Sequence, residues 1–297
     1  MIRDWECQRV RNDGTLIPVS ITLSVIRDAA NAPLGLAKFI RDVGDRKRYE
    51  RERNIAGSLQ RALLPEAAPD LPGLPVATRY FPGGAGLQVG GDWYDVFALP
   101  GRRFGVAVGD VVGHGVAAAA VMGQLRVALR AYALEFSSPA TVLACLGRLA
   151  TSLDDSQMAT VLYGVVDPDA ARIELASAGH PPPLLLGAEG KVSFLDVEPA
   201  PPLGVLVDLP PTQVTEGLEP GWVVLFYTDG LIERRGASIE DGMAALTRAA
   251  VGPPDVESLC ERVSTAMNAD DASDDVALLA LSLAPTPGRD TPHPARR

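Results

Sequence analysis

Val223-Val224-Leu225-Phe226-Tyr227-Thr228-Asp229-Gly230-Leu231 is an apolar run that stops at an acidic, glycine-bearing turn. The chain repeats the figure. Phe104-Gly105-Val106-Ala107-Val108 ends at Gly109-Asp110, and the shorter Leu87-Gln88-Val89 runs into Gly90-Gly91-Asp92 and continues as Trp93-Tyr94-Asp95. A fourth acidic pair, Asp274-Asp275, instead precedes a strand, Val276 to Leu281. If these strands are neighbours, four carboxylates converge at one edge of the sheets. Such a cluster repels itself unless divalent cations sit between the oxygens, and hard oxygen ligands suit Mg²⁺ or Mn²⁺. Two such ions roughly 3.5–4 Å apart can activate a bridging water and stabilise in-line attack on phosphorus. Any one of these aspartates alone is more simply a turn former or a helix N-cap. Four in similar strand-end settings favour a shared site, although periodicity leaves several metal-dependent chemistries open.

Around these turns, residues from about Val76 to Leu283 alternate strands and helices. Arg103 to Val108, Thr160 to Val166, Arg172 to Ala176, Pro183 to Leu186, Trp222 to Tyr227 and Val276 to Leu283 read as strands. Val116 to Leu134, Pro139 to Leu153 and Val256 to Met267 read as helices. Short turns at Asp167-Pro168-Asp169 and Gly187 to Gly190 imply antiparallel hairpins with helices packed on the faces. The expected class is therefore α+β. Upstream, Cys7 to Val10 and Leu16 to Val25 flank the turn signal Asn12-Asp13-Gly14, and Leu34 to Ile40 makes a third strand. Alternation puts Ile17, Val19, Ile21, Leu23 and Val25 on one face and Ser20, Thr22 and Ser24 on the other. Three strands enclose no core, so this is a piece of something larger. Residues 45 to 64 carry a helical pattern, with Ile55, Leu59, Leu63 and Leu64 along one side. Pro65 stops the helix, and Pro69, Pro72 and Pro75 make an extended connector. Residues 285–297, rich in proline, read as a disordered tail.

The 297 residues carry a formal charge of −10, which argues against nucleic acid as a partner. Cys7, Cys145 and Cys260 lie far apart and form no CxxC or zinc spacing, which argues against a disulfide framework or thiolate metal site. The longest apolar stretches, such as Val116 to Met122, fall short of the roughly 18–20 residues that span a bilayer, so no membrane association is expected. Met1 leads into Arg3, Asp4 and Glu6 with no apolar signal core, and the expected compartment is the cytoplasm.

The motifs also carry a resemblance. VGGDWYDVF at Val89 to Phe97 resembles the first metal motif of the metal-dependent protein phosphatase (PPM) superfamily. GDVVGHGVAAA, SAGHPPPLLL, LFYTDGL and SDDVALL follow in that family's order. More narrowly, the chain resembles the bacterial branch typified by sporulation protein E and the phosphatases that control sigma-factor partner switching. SLQRALLP at Ser58 to Pro65 is similar to the segment leading into that branch's phosphatase domain. The resemblance implies a domain at 76–284 built of two packed antiparallel sheets flanked by helices, with metals at one end. It implies hydrolysis of phosphoserine or phosphothreonine, with an anti-sigma-factor antagonist as the expected substrate protein.

By the same resemblance, Asp92 and Asp110 hold a pair of Mn²⁺ or Mg²⁺ ions, with Asp110 as the bridge. Asp229 and Asp274 complete the coordination from the opposite side, and Asp95 and Asp275 stand nearby in reserve. Val111 falls where many family members have a glycine that donates its backbone carbonyl. A valine serves equally unless the position demands positive φ. His114 is a candidate general acid toward the leaving serine oxygen. Many eukaryotic relatives instead carry a histidine where this chain has Val112, so helix entry or support of a ligand is the alternative role. His180 is expected to shape a loop near the site. No arginine is clearly placed to clamp phosphate.

Residues 1–44 resemble the C-terminal strands of a PAS sensor domain, ending in RDVGDRKRYERE; an unrelated hairpin extension is the alternative. In the family this chain resembles, a linker such as the helix at 45–64 with its connector to residue 75 can pair two copies and move against the catalytic domain; a plain packed spacer helix is the alternative. Two further function classes compete: a catalytically inactive binding module of the same fold, and a nucleotide cyclase suggested by Gly90-Gly91-Asp92. The cyclase reading fits neither Trp93-Tyr94 nor the other four motifs.

Overall fold

The computed structural model describes residues 2–63, 70–83, 90–153, 158–187, 190–205, 210–234 and 236–284. The chain divides into two compact units, Met1–Ile55 and Ala56–Arg297. The strand Leu87 to Val89, Pro65, Pro69 and the tail at 285–297 lie outside the described residues.

In the first unit, β1 (Ile2–Val10), β2 (Leu16–Arg27) and β3 (Pro33–Asp42) form an antiparallel sheet in that order. The turn forms because Gly14 accepts a φ of 85° and the Asp13 carboxylate takes the Thr15 N–H at 2.9 Å. The register places Ile21 opposite Trp5 and Ile40, and Val19 opposite Cys7 and Asp42. Among the described residues of the sheet the middle of β2 is sealed: Val19 and Ile21 are buried, while Leu36, Phe39 and Ile40 are more than half exposed. α1 (Gly44–Leu63) begins here, with Lys47 pairing with Glu6 at 2.7 Å. The boundary between the units falls inside this helix.

The second unit opens with β4 (Val76–Phe81), β5 (Trp93–Leu99) and β6 (Arg103–Val111). Helices α2 (Val116–Glu135) and α3 (Pro139–Ala150) follow. Then come β7 (Ala159–Asp167), β8 (Arg172–Ala178), β9 (Leu184–Leu186), β10 (Val192–Phe194), β11 (Pro199–Ala200), β12 (Val214–Gly217) and β13 (Val223–Tyr227). Helices α4 (Ile239–Ala250) and α5 (Val256–Ala266) precede the last strand, β14 (Val276–Ser282).

These strands make two sheets. One has the order β10-β9-β13-β14-β4; the other runs β11-β8-β7-β6-β5, with β12 also pairing β8. The pairings are antiparallel except for the two-residue β11–β8 contact, a small departure from the all-antiparallel expectation. The fold is α+β, as the alternation of elements implies.

The layers explain the apolar runs. Along β13, Val224 and Phe226 meet Val106, Val108 and Leu162 in the core between the sheets. Val223, Leu225 and Tyr227 face the other way, onto Leu246, Leu259 and Val263 of α4 and α5. A strand covered on both faces reads as a continuous apolar run rather than an alternation. The outer face of the second sheet is covered by Met122, Leu125 and Leu129 of α2 and by Leu143 and Leu146 of α3. Gly109 is small of necessity: a Cβ there would lie 2.3 Å from the Trp93 ring.

The strands β4, β5, β10, β11 and β12 were not named from the sequence, and two further outcomes bear on the site and its surroundings. Asp110 was expected just past a strand end, but β6 continues through Val111, because Asp110 and Val111 still find ladder partners in Thr160 and Ala159. Helix α4 was not anticipated. Its start is marked by a capping box in which Ser238 accepts the Asp241 N–H at 3.1 Å and Asp241 takes the Ser238 N–H at 3.2 Å.

Candidate metal centre

The site is assembled where three turns meet at one end of the sandwich. The first is Gly90-Gly91-Asp92. Gly91 lies against the end of β6, its carbonyl accepting the Val111 N–H at 3.3 Å. A Cβ on Gly91 would stand 2.2 Å from the Val111 carbonyl oxygen, so only glycine allows this approach. Val111 itself has no positive φ, so a valine meets no backbone conflict there. Gly90 bridges to His114, which stands exposed in the loop before α2.

The second turn is a short 3-10 segment, Asp229–Leu231, set at the end of β13. The Asp229 carbonyl accepts N–H groups from Ile232 at 2.8 Å and Glu233 at 2.7 Å. The third is Asp274-Asp275, just before β14. A Cβ on Gly230 would lie 2.1 Å from the Asp275 carbonyl oxygen, which brings the second and third turns into direct contact.

Three carboxylates here are electrically frustrated. Asp92 is 2% exposed, and its Oδ2 has no hydrogen-bond partner among the described residues. Burial pushes its pKa well above the usual carboxylate range, and the neighbouring Asp110 adds to the rise. Asp110 is raised too, by burial first, with Asp274, Asp275 and Glu233 contributing and the contact with Asp92 opposing. Asp229 is pushed up to about 7 by burial, then by the charges of Asp110, Glu233 and Asp274. Without a cation, Asp92 and Asp110 cannot both ionise at low cost. The neighbouring buried Thr228 hydroxyl partly offsets the rise at Asp92, and its oxygen accepts the Ala277 N–H at 2.8 Å.

Asp274 is exposed at the rim and takes the Asp275 N–H on its carboxylate at 2.8 Å. Among the described residues, no three His, Cys, Asp or Glu side chains close into a complete ligand set. The orphaned Asp92 Oδ2, the raised carboxyls and the oxygen-only donors nevertheless fit a hard divalent cation. Of the ligands named from the sequence, Asp110 lies within electrostatic reach of Asp92, Asp229 and Asp274, and Asp229 also of Asp274.

The two reserve aspartates are otherwise engaged. Asp95 is fully buried on the α2 side of β5, bound by Arg130 through two bonds of 2.6 Å and by Arg126 at 3.0 Å. Asp275 is buried and receives the Tyr80 hydroxyl and the N–H groups of Gly83 at 2.7 Å and Gly90 at 3.0 Å. Both are satisfied carboxylates that hold backbone and helix in place. Glu233 was missed by the sequence reading. Its signal was its place four residues beyond Asp229, which the 3-10 turn folds back toward the cluster.

His180 does more than shape a loop. It is buried, with Nδ1 2.8 Å from the Thr160 hydroxyl and Nε2 3.0 Å from the Tyr227 carbonyl. Desolvation lowers its pKa to about 4, so the ring is neutral.

A two-sheet sandwich with helices on both outer faces and an acidic cluster at one end is the architecture of the PPM phosphatases. The PP2C phosphatase domain of SpoIIE from Bacillus subtilis superposes with a TM-score of 0.60 at 18% identity, over 71% of this chain and 64% of that one. The family model described as Stage II sporulation protein E (SpoIIE) matches residues 100–284, more than half of the chain, and the chain belongs to that family. The RsbU and RsbW domains of Rv1364c from Mycobacterium tuberculosis are 35% identical, with a TM-score of 0.66 over 76% of this chain and 64% of that one. The phosphoserine phosphatase RsbU of Bacillus subtilis is 28% identical over 65% of this chain and 56% of its own length. The chain spans between 36% and 56% of the length of three curated relatives that it matches. No helix among the described residues is long and apolar enough to cross a membrane.

Proposed function

We propose that the chain is a metal-dependent protein phosphatase that hydrolyses phosphoserine or phosphothreonine on a signalling protein, an anti-sigma-factor antagonist being the foremost candidate. The observation that carries this reading is the buried Asp92 with its unpartnered oxygen beside Asp110, facing Asp229 from the other sheet. Asp92, Asp110, Asp229 and Asp274, with the Val111 carbonyl, are the groups that would hold a pair of Mn²⁺ or Mg²⁺ ions. When bound, such ions supply a nucleophilic water and neutralise the phosphoryl oxygens. The chain's own part is to hold the carboxylates rigid, keep the inner ones dry and leave the rim open to a phosphoprotein. Arg126 and Arg130 are engaged by Asp95. The acidic positions are all filled, and no observation favours an inactive binding module.

His114, exposed beside Gly90, is the candidate donor of a proton to the leaving oxygen. In that role His114→Ala slows release from phosphoserine more than from p-nitrophenyl phosphate, whose leaving group needs no proton. Equal slowing on both substrates removes the assignment. The three-stranded sheet at Ile2–Asp42 agrees with a PAS-derived segment, and α1 with a linker able to pair two copies. Light scattering of wild type and Leu59→Asp tests the pairing, which predicts a dimer that the substitution dissociates.

The substrate class is tested by phosphate release from a panel of phosphorylated anti-sigma-factor antagonists with Mn²⁺. Turnover of at least one antagonist above a generic phosphoserine peptide supports the assignment, and equal, poor rates on all of them would remove it.

A further inference from the structure

We propose that His180 is a positioning residue for the metal centre, a polar bridge that ties the strand beside Asp110 to the strand leading into Asp229. The inference rests on the metal-site reading above. It starts from where the ring stands. β8 ends at Ala178, and Gly179, at a φ of 69°, turns the chain toward β9 in the other sheet. The Gly179 N–H is held by the Ala200 carbonyl at 2.7 Å, and a Cβ there would lie 2.6 Å from Pro202. His180 is thus delivered rigidly to the point where the chain crosses between sheets.

Its partners fix the ring completely. The Tyr227 carbonyl can only accept, so Nε2 carries the hydrogen, and Nδ1 of the neutral ring accepts from the Thr160 hydroxyl. The His180 backbone N–H donates to Ser177 Oγ at 3.2 Å, and its carbonyl accepts from the same hydroxyl at 2.9 Å. Thr160 is the ladder partner of Asp110 across β6 and β7. Tyr227 lies two residues before Asp229. One end of the imidazole is therefore attached to β7 at the ladder partner of Asp110, and the other to β13 two residues before Asp229. Besides the Gly90 N–H bond to Asp275, the facing sheets meet through apolar packing, which resists separation but tolerates small sliding. A directional bridge of two hydrogen bonds opposes that sliding. Hydrogen-bond partners of this kind, one shell outside the ligands, commonly govern metal affinity by about 10- to 100-fold.

The test is Mn²⁺ binding measured by calorimetry, with the melting temperature of the metal-free protein recorded alongside. His180→Ala should weaken Mn²⁺ binding at least about tenfold. Thr160→Val, which keeps the Tyr227 bond, should give a smaller loss, and His180→Gln, which can still donate to Tyr227, should recover part of the affinity. Leu146→Ala, a cavity in the core beneath α3, is the control: it should lower the melting temperature and leave affinity within about twofold. If His180→Ala does not fold, Thr160→Val against Leu146→Ala carries the same comparison. Folded His180 and Thr160 variants with wild-type affinity overturn the positioning role, as would a matching affinity loss in Leu146→Ala. A wild-type protein that binds no Mn²⁺ overturns the metal-site reading itself, and this inference with it.

Discussion

Asp92 and Asp95 stand three residues apart, both sealed from solvent, yet their surroundings are opposite. Asp95 faces α2, where Arg126 and Arg130 surround it with charge and hydrogen bonds. Asp92 faces the end of the sandwich, where its neighbour is another carboxylate and one of its oxygens has no partner. A buried charge is stabilising to keep only when it is paired and hydrogen-bonded. The α2 region obeys that rule and the metal end breaks it. Such breaches, tolerated by an otherwise consistent fold, are where function is expected.

Breaking the frustrated end should have the largest effect, and on chemistry rather than on folding. Asp110→Asn and Asp229→Asn are each expected to cut phosphate release by roughly 10²–10³-fold or more, the scale on which charge-stabilising groups act in active sites. The circular dichroism of both variants should stay native, since each substitution relieves repulsion. Near-normal rates in either folded variant would show that the ligand assignment is wrong.

The satisfied region should respond the other way round. Asp95→Ala leaves the Arg126 guanidinium, only 14% exposed, without its counter-charge. The expected loss is about 3–5 kcal/mol of stability in a denaturant titration. Per folded molecule, Mn²⁺ affinity should be retained. A stable Asp95→Ala protein that has lost Mn²⁺ would move Asp95 into the metal site.

A smaller and more diagnostic difference lies in pH. Asp229 has a folded value of about 7 against an ordinary 3.8. Between those values the folded, metal-free protein retains a proton that the unfolded chain has released. Stability from this group therefore falls as pH rises from about 4 through 7. His180, lowered to about 4 from 6.5, works in the opposite sense, and its contribution is lost as pH falls from 6.5 toward 4. In chelator, Asp229→Asn should melt near wild type at pH 4.5 and increasingly above it toward pH 8. A gap that does not change with pH would contradict the burial-driven shift.

The same contrast marks what could be read from sequence. The apolar run at Val223 to Tyr227 and the turn after it revealed both a strand and its acidic end, because the run and the turn are local. The fates of Asp95 and Asp275 were not legible, since they depend on arginines of α2 and on N–H groups of Gly83 and Gly90, far away along the chain. Asp110 sits inside β6 rather than beyond it because Thr160 pairs with it, which no local pattern announces. Helix α4 was legible in principle through Ser238 and Asp241, but its apolar stripe is short. His180 showed only as part of a motif; its two partners come from different sheets and meet only in the folded chain.

The central claim is that the frustrated carboxylates exist to hold divalent cations for phosphate hydrolysis. The direct measurement is phosphate release from a phosphoserine protein by wild type and Asp229→Asn, each with Mn²⁺ and with excess chelator. The account predicts turnover only for wild type with Mn²⁺, with chelator reducing it to the level of the variant. Full turnover in chelator, or equal Mn²⁺-dependent rates in the two proteins, would contradict it.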